Sequence, residues 1–281
     1  MMATLPSPAD ARDHLAALPQ VAIPPFVDLK PSVFEVENQM SFNACTANAG
    51  CSALELMYKA KGRPVDLSRM YLYHAMRELE GTVQSDQGAY PRDIGRALLN
   101  TGVCKESTWG YSADHLMAAP TTAADTEAAM LKIVSYEYLP GGLADIKNAI
   151  AQGIPVLLTI EIHQGIYNQT GAWQTHNWDT STPIMGYHEV LVIGYDDASK
   201  RLLAENSWGP DYGDGGFFGI PYEMTLGEAW VLTPNYEAAF TPDGLPPPAP
   251  TPSRITQVWL NPIWALVAVL LIGWGLTALN K

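Results

Sequence analysis

Cysteine and basic residues are scarce in this chain of 281 residues, and each shortage excludes some classes of protein. The three cysteines, Cys45, Cys51 and Cys104, are too few and odd in number for a disulfide framework, which favours a reducing compartment. Lysine and arginine number 16 against 29 acidic residues, giving a net charge of −13. A surface of this sign repels phosphate backbones, so nucleic acid is not expected as a partner.

A secretion signal is also missing from the start of the sequence. Residues 1–20 read MMATLPSPADARDHLAALPQ and contain neither the basic region nor the apolar region of a signal peptide. We therefore expect the large N-terminal part of the chain to lie in the cytosol.

Changes in composition divide the chain into four segments. Residues 1–24 form a Pro- and Ala-rich extension, and residues 25–241 mix helix and strand patterns, which predicts one large domain. Residues 242–254 read PDGLPPPAPTPSR, a composition that favours an extended, semi-rigid linker. Residues 255–281 are predicted to form a C-terminal transmembrane anchor.

The predicted anchor rests on residues 263–279, which carry no charge. As a helix these residues would span about 25 Å, near the lower limit for crossing a bilayer. Tryptophans near both ends suit the membrane interface, namely Trp259, Trp264 and Trp274. The sequence thus predicts a lipid bilayer as a partner, contacted through residues 263–279, with a soluble core helix as the alternative.

A helix beginning at Cys45 is the first candidate catalytic element. Residues 45–60 are mostly good helix formers, with Asn43 as a possible N-cap and Gly62 just beyond the end. One buried face is predicted from the spacing of Cys51, Leu54, Met57 and Tyr58. Cys45 would then sit in the first turn, where the helix dipole and free N–H groups favour a thiolate.

A predicted β-hairpin supplies the second candidate element. Residues 188–197 read HEVLVIGYDD and residues 201–208 read RLLAENSW, two apolar strands joined by a turn. His188 and Asn206 would lie almost opposite each other across this hairpin. An imidazole held by an amide oxygen is what a cysteine nucleophile requires, although His188 alone could equally be a packed strand residue.

Three motifs in this order resemble the papain-like cysteine peptidases. Gln39 lies shortly before Cys45, His188 precedes an apolar strand that ends in Gly194-Tyr195, and residues 206–209 read N-S-W-G. The resemblance implies an α+β fold. Its helical subdomain would carry the cysteine, and an antiparallel, β-barrel-like subdomain would carry the histidine and asparagine. The C-terminal transmembrane helix would be an addition to that fold.

The resemblance also implies catalytic roles, and it implies neither a metal nor another cofactor. Cys45 would be the nucleophile, and His188 would act first as general base and then as acid. Asn206 would orient the imidazole, and Gln39 with the backbone N–H of Cys45 would form the oxyanion hole.

Substrate-contacting residues follow from the same resemblance. Trp208 would shield the bond between histidine and asparagine from water and would border the substrate. Gly88, Ala89 and Tyr90 resemble the strip that pairs with the substrate backbone, although an ordinary turn is the alternative at that position.

Several positions depart from the family pattern. Phe42 replaces a disulfide cysteine and Thr46 replaces a tryptophan. The run C-T-A-N-A that begins at Cys45 resembles bacterial and phage-type members. Glu189 replaces a small residue after the histidine and is expected to point away from the imidazole. Residues 1–24 are too short for the family's inhibitory propeptide, which argues against zymogen control of the usual kind.

The sequence therefore predicts a membrane-tethered cysteine endopeptidase that acts on proteins or peptides. Two alternatives stay open. The same triad could cleave or transfer peptidoglycan amides, or the chain could be a catalytically silent, membrane-tethered binding protein.

Overall fold

The computed structural model describes residues 4–11, 13–176, 179–224 and 226–237. The predicted linker (242–254) and the predicted transmembrane anchor (255–281, with its span 263–279) lie outside the described residues. Within those ranges, no helix has both the length and the apolar character that crossing a bilayer requires. The division into an extension and a single peptidase domain that ends at residue 241 stays a prediction.

Most of the helices precede most of the strands along the chain. The helices are α1 (Cys45–Ala60), α2 (Arg69–Glu80), α3 (Pro91–Asn100), α4 (Thr122–Ala128) and α5 (Leu143–Ala151). The strands are β1 (Phe26–Asp28), β2 (Ile133–Tyr138), β3 (Val156–Ile162), β4 (Gly186–Asp196), β5 (Arg201–Glu205), β6 (Phe217–Pro221) and β7 (Leu226–Pro234).

The strands form one seven-stranded antiparallel sheet in the order β2-β7-β3-β4-β5-β6, with β1 paired to β4. The predicted α+β fold with helices and an antiparallel sheet is confirmed. β4 is buried on both faces, because Leu191 and Ile193 enter the core shared with α1–α3, whereas Val190 and Val192 enter a second core with α5. A strand covered on both sides reads as a continuous apolar run.

The prediction of a helix over residues 45–60 is confirmed, with Cys51 buried in the core. The predicted N-cap is wrong, since Ala44 occupies that position without a side-chain cap. Asn43 is engaged elsewhere, because its Nδ2 donates to the carbonyl of Asp86 at 2.6 Å and its backbone N–H donates to the Asp86 carboxylate at 3.1 Å. These bonds fasten the start of α1 to the loop before α3.

The predicted hairpin of β4 and β5 is present, but its register differs from the one expected. The ladder runs from Asp196 paired with Arg201 to Leu191 paired with Glu205, with an irregularity between Val192 and Gly194. Asn206 therefore lies just beyond the last paired residue rather than opposite His188. Their side chains meet diagonally across the end of the hairpin.

The N-terminal extension runs along the body of the protein. The backbone N–H groups of Ala16 and Tyr138 bond to the carbonyls of Tyr138 and His14, both at 2.8 Å. Asn148 of α5 donates to the carbonyl of Pro19 at 3.1 Å, and the Tyr195 hydroxyl donates to the carbonyl of Pro24 at 2.8 Å. The extension is thus fastened to β2, α5 and β4 in turn.

Candidate active site

Cys45 is the first residue of α1 and is buried, with 1% of its surface exposed. Burial raises the pKa of its thiol to about 12, while the backbone N–H groups of Glu189, Thr46 and Cys45 itself act in the opposite direction. The expected lowering by the helix terminus is therefore wrong for this structure, because desolvation outweighs the nearby N–H dipoles. Burial thus favours the neutral form of the thiol.

His188 is tied to Asn206 by a hydrogen bond of 2.9 Å between Nε2 and Oδ1. Asn206 Oδ1 also accepts from the Ser207 backbone N–H at 2.8 Å, which fixes the amide with its oxygen toward the ring. An amide oxygen can only accept, so Nε2 carries the proton and Nδ1 is left as an acceptor. Burial lowers the pKa of His188 to about 4, and the bond to Asn206 offsets part of that change.

The nucleophile lies against the start of β4. The backbone N–H of Glu189, the residue after His188, acts directly on the Cys45 sulfur. His188 Nδ1 is buried and has no hydrogen-bond partner in the described part of the chain. The thiol therefore lies beside the backbone that follows His188, and no hydrogen bond joins it to Nδ1.

Aromatic rings cover the imidazole. Trp208 stacks on His188 with ring centroids 5.0 Å apart, and Tyr167 stacks on Trp208 at 5.5 Å. Tyr212 meets the same indole edge-on at 4.9 Å. These rings keep water from the bond between His188 and Asn206, which is the position expected for Trp208.

Gln39 lies between the asparagine loop and the start of α1. Its Oε1 accepts from the Ser207 hydroxyl at 2.6 Å, and its Nε2 donates to the carbonyl of Phe42 at 2.8 Å. One N–H of Nε2 remains for another acceptor. The backbone N–H of Gln39 also bonds to the carbonyl of Ser207 at 2.8 Å, so this side chain is held from two directions.

The strip from Gly88 to Tyr90 borders a cavity of about 200 Å³ that Leu5 and Glu80 also line. Gly88 has a φ of +89°, and the Tyr90 backbone N–H donates to Glu80 Oε1 at 2.8 Å. Ala89 is covered, because the hydroxyl of Thr4 donates to its carbonyl at 2.9 Å. The N-terminal extension thus contacts the strip that was expected to bind substrate.

Two groups near the site were not predicted from the sequence. Thr4 stands in a segment without a recognisable motif, so no local signal could have placed it at Ala89. Glu205 directly precedes Asn206 and is buried. The sequence offered one signal for Glu205, namely a charged residue in an otherwise apolar strand.

Glu189 and two further histidines have structural partners. Glu189 points away from His188, as expected, and accepts from the Thr159 hydroxyl at 2.7 Å. His163 Nδ1 bonds to the carbonyl of Thr182 and His176 Nε2 to that of Gly171. Within the described ranges, no three His, Cys, Asp or Glu side chains converge as metal ligands.

Comparison with known proteins identifies the family in which this arrangement occurs. The pattern of the papain family cysteine proteases matches residues 23–229. An uncharacterized peptidase C1-like protein of Acanthamoeba polyphaga mimivirus is 27% identical over 72% of this chain and 68% of its own length. Cathepsin S of Bos taurus is 28% identical over 67% of this chain and only 56% of its own length.

Among solved structures, xylellain, a cysteine protease from Xylella fastidiosa, superposes with a TM-score of 0.74 and 26% identity. The superposition covers 83% of this chain and 95% of xylellain. The family pattern spans most of the described residues, including the positions of Gln39, Cys45, His188 and Asn206. The chain therefore belongs to the papain family of cysteine proteases and is a cysteine-type peptidase.

Proposed function

We propose that the chain is an endopeptidase that cleaves peptide bonds through a thioester on Cys45. The observation that carries this proposal is the orientation of His188. Its Nε2 is held by Asn206 at 2.9 Å, while Nδ1 has no hydrogen-bond partner in the described part of the chain. This is the tautomer that a base for the Cys45 thiol needs.

The proposed reaction begins from a neutral pair. The Cys45 proton passes to His188 Nδ1, and the thiolate attacks the carbonyl carbon of the peptide bond. The free N–H of Gln39 and the backbone N–H of Cys45 stabilise the oxyanion. The imidazolium then protonates the leaving amine, and water, deprotonated by His188, hydrolyses the thioester.

Covalent labelling tests the nucleophile. A thiol-directed epoxide should modify Cys45, and peptide mapping by mass spectrometry should find Cys51 and Cys104, which are also buried, unmodified. The Cys45→Ala variant should lose peptide turnover, whereas Cys104→Ser should keep it. Equal turnover in Cys45→Ala and the parent would refute the proposal and favour the silent binding protein.

The alternative chemistry on the same residues is cleavage or transfer of peptidoglycan amides. Incubation with a peptide library and with cell-wall fragments, analysed by mass spectrometry, separates the two activities. Cleavage within unbranched peptides supports the endopeptidase, and products from cell-wall fragments alone would replace it.

The finer assignment to bacterial or phage-type members is also a proposal. Phe42, at the position of a family disulfide cysteine, packs against Tyr111 with ring centroids 5.6 Å apart. Thr46 at the position after the nucleophile supports the same assignment. Both residues suit a peptidase that works without that disulfide.

We further propose that residues 263–279 tether the peptidase to a membrane with its catalytic domain in the cytosol. The uncharged sequence of this segment and the Pro-rich stretch before it support the tether. The full chain should float with lipid vesicles on a density gradient, whereas a chain ending at residue 241 should not. Equal flotation of both would reject the tether without affecting the peptidase.

A further inference from the structure

A small polar cavity lies behind the candidate catalytic residues, between α1, β4 and the end of β5. Its walls include Asn48 and Ser52 of α1, Glu189 of β4, and the neighbours Glu205 and Asn206. All five side chains are buried. The cavity volume of about 10 Å³ matches the space that one water molecule occupies.

Several polar atoms at this cavity have no hydrogen-bond partner within the described residues. Asn48 Oδ1 is an acceptor without a donor, and Asn206 Nδ2 is a donor without an acceptor. Neither carboxyl oxygen of Glu205 makes a hydrogen bond of normal geometry within the described residues, although the Ser52 hydroxyl lies close enough to act on the carboxyl. Buried polar atoms are nearly always hydrogen-bonded, so this set calls for a shared bridge.

The surroundings of Glu205 favour its neutral form. The carboxyl groups of Glu55 on α1 and Glu189 on β4 face the same region, and Phe217 is the paired residue on β6. Burial raises the pKa of Glu205 to about 8, and the Ser52 hydroxyl offsets only part of that rise. At neutral pH the side chain is therefore mainly a carboxylic acid.

Cys45 and His188 are the titratable groups of the active site that lie on the same two elements. Both are buried and neutral in the resting protein, so neither supplies a cation to Glu205. In addition, no lysine or arginine of the described ranges forms an ion pair with it.

We propose that Glu205 is a positioning residue that acts as a neutral carboxylic acid and holds the Asn206 amide through one water molecule in this cavity. The donors and acceptors match, because the water can accept from the Asn206 amide and from the acid O–H of Glu205 while it donates to Asn48 Oδ1. Glu205 thus acts on His188 through Asn206. This inference deepens the proposed function and rests on the orienting role of Asn206.

The rate of Cys45 alkylation by iodoacetamide tests the inference, with the modified residue identified by peptide mapping. On the pH plateau between the ionisation of His188 and that of Cys45, this rate reports the fraction of the pair that exists as thiolate and imidazolium. Glu205→Met removes both donor and acceptor, so Asn206 holds the imidazolium less well. The plateau rate should fall about tenfold, which corresponds to a tenfold weaker ion pair.

Glu205→Gln keeps one donor and one acceptor and should retain the parent plateau rate. Glu55→Gln is the matched control. It replaces another buried carboxyl on α1 that accepts from the Leu67 backbone N–H at 2.7 Å, and it should leave the plateau rate unchanged. A loss of folding alone would lower the melting temperature of Glu205→Met without changing its plateau rate.

Three results would overturn the inference. The first is a plateau rate in Glu205→Met equal to the parent's. The second is a fall in Glu205→Gln as large as in Glu205→Met, because charge and not a neutral acid would then be required. The third is a fall in Tyr212→Phe without one in Glu205→Met, which would make the nearby Tyr212 hydroxyl the partner of Asn206.

A second variant covers the case in which Glu205→Met does not fold. Asn48→Ala removes the acceptor across the cavity and should also lower the plateau rate, and an unchanged rate would then refute the bridge. Alkylation needs no peptide turnover. A protein that labels normally but cleaves no peptide would refute the endopeptidase and leave this test intact.

Discussion

At the scale of single residues, burial decides the state of the candidate catalytic pair. The raised pKa of Cys45 and the lowered pKa of His188 both favour the uncharged form. An ion pair then forms only when one proton moves between them. The groups that stabilise the imidazolium, above all Asn206, therefore control how much thiolate is present.

The first prediction concerns Asn206. Replacing it with alanine removes the oxygen that holds Nε2 at 2.9 Å, so the ring is free to turn. We expect kcat to fall roughly ten- to a hundredfold with KM nearly unchanged, measured with a fluorogenic peptide. Asn100→Ala, on an exposed position at the end of α3, is the control. If Asn206→Ala has the same kcat as the parent protein, the amide does not orient the histidine.

The second prediction concerns Glu205 and stability. Its pKa of about 8 in the folded protein lies above the ordinary value of 4.5. Between these values the unfolded chain ionises first, so the contribution to stability that is present below about pH 4.5 is lost as the pH rises to about 8. Glutamine does not ionise.

The melting temperature of Glu205→Gln relative to the parent should therefore increase between about pH 4.5 and 8 and stay level above that. The gain in free energy of unfolding should reach a few kcal/mol. A constant difference across this range would show that Glu205 does not titrate abnormally.

The sequence identifies some of these residues and not others for a physical reason. Cys45, His188, Asn206 and Gln39 belong to motifs in which neighbouring residues also carry information. The state of Cys45 depends on how much water reaches it, which is set by the whole fold. Helix-terminus dipoles alone therefore gave the wrong direction for its pKa.

At the scale of elements, helix α1 was predicted to the residue, because its apolar face and its glycine stop are both local signals. The register of β4 and β5 was not, because an irregularity between Val192 and Gly194 shifts the pairing. The alternation of apolar and polar residues in a sequence does not reveal where such a shift in pairing occurs. The contact between His188 and Asn206 is diagonal for this reason.

The third prediction concerns the N-terminal extension as an element. Its Thr4 hydroxyl donates a hydrogen bond to the Ala89 carbonyl, and its Ser7 hydroxyl accepts from the Arg92 backbone N–H at 3.2 Å. Deleting residues 1–8 should uncover the strip and raise kcat/KM for a peptide substrate by about tenfold, or 1.4 kcal/mol.

Thr4→Val, which removes only the hydrogen bond, should give a smaller rise. Ser112→Ala, outside the extension, should give none. A deleted chain that folds normally but cleaves no faster would show that the extension does not compete with substrate.

At the scale of the whole molecule, the charge of −13 is a property that no single site carries. Acidic surfaces attract basic ligands and repel acidic ones over about 10 Å at moderate ionic strength. The fourth prediction is that kcat/KM for a lysine-rich peptide falls several-fold when salt rises from about 20 to about 200 mM.

A neutral peptide with the same cleavage site should change little over that range. The comparison needs both peptides, because salt can also alter the enzyme itself. An equal response from both would show that the net charge does not steer substrates.

The position of β4 bears on the stage of folding at which activity can appear. The strand that carries His188 is packed by the helices on one face and by the second core on the other. The thiol stands on α1 and the imidazole on β4, so neither half alone holds both. Peptide cleavage by the proposed mechanism should therefore require that both halves are folded.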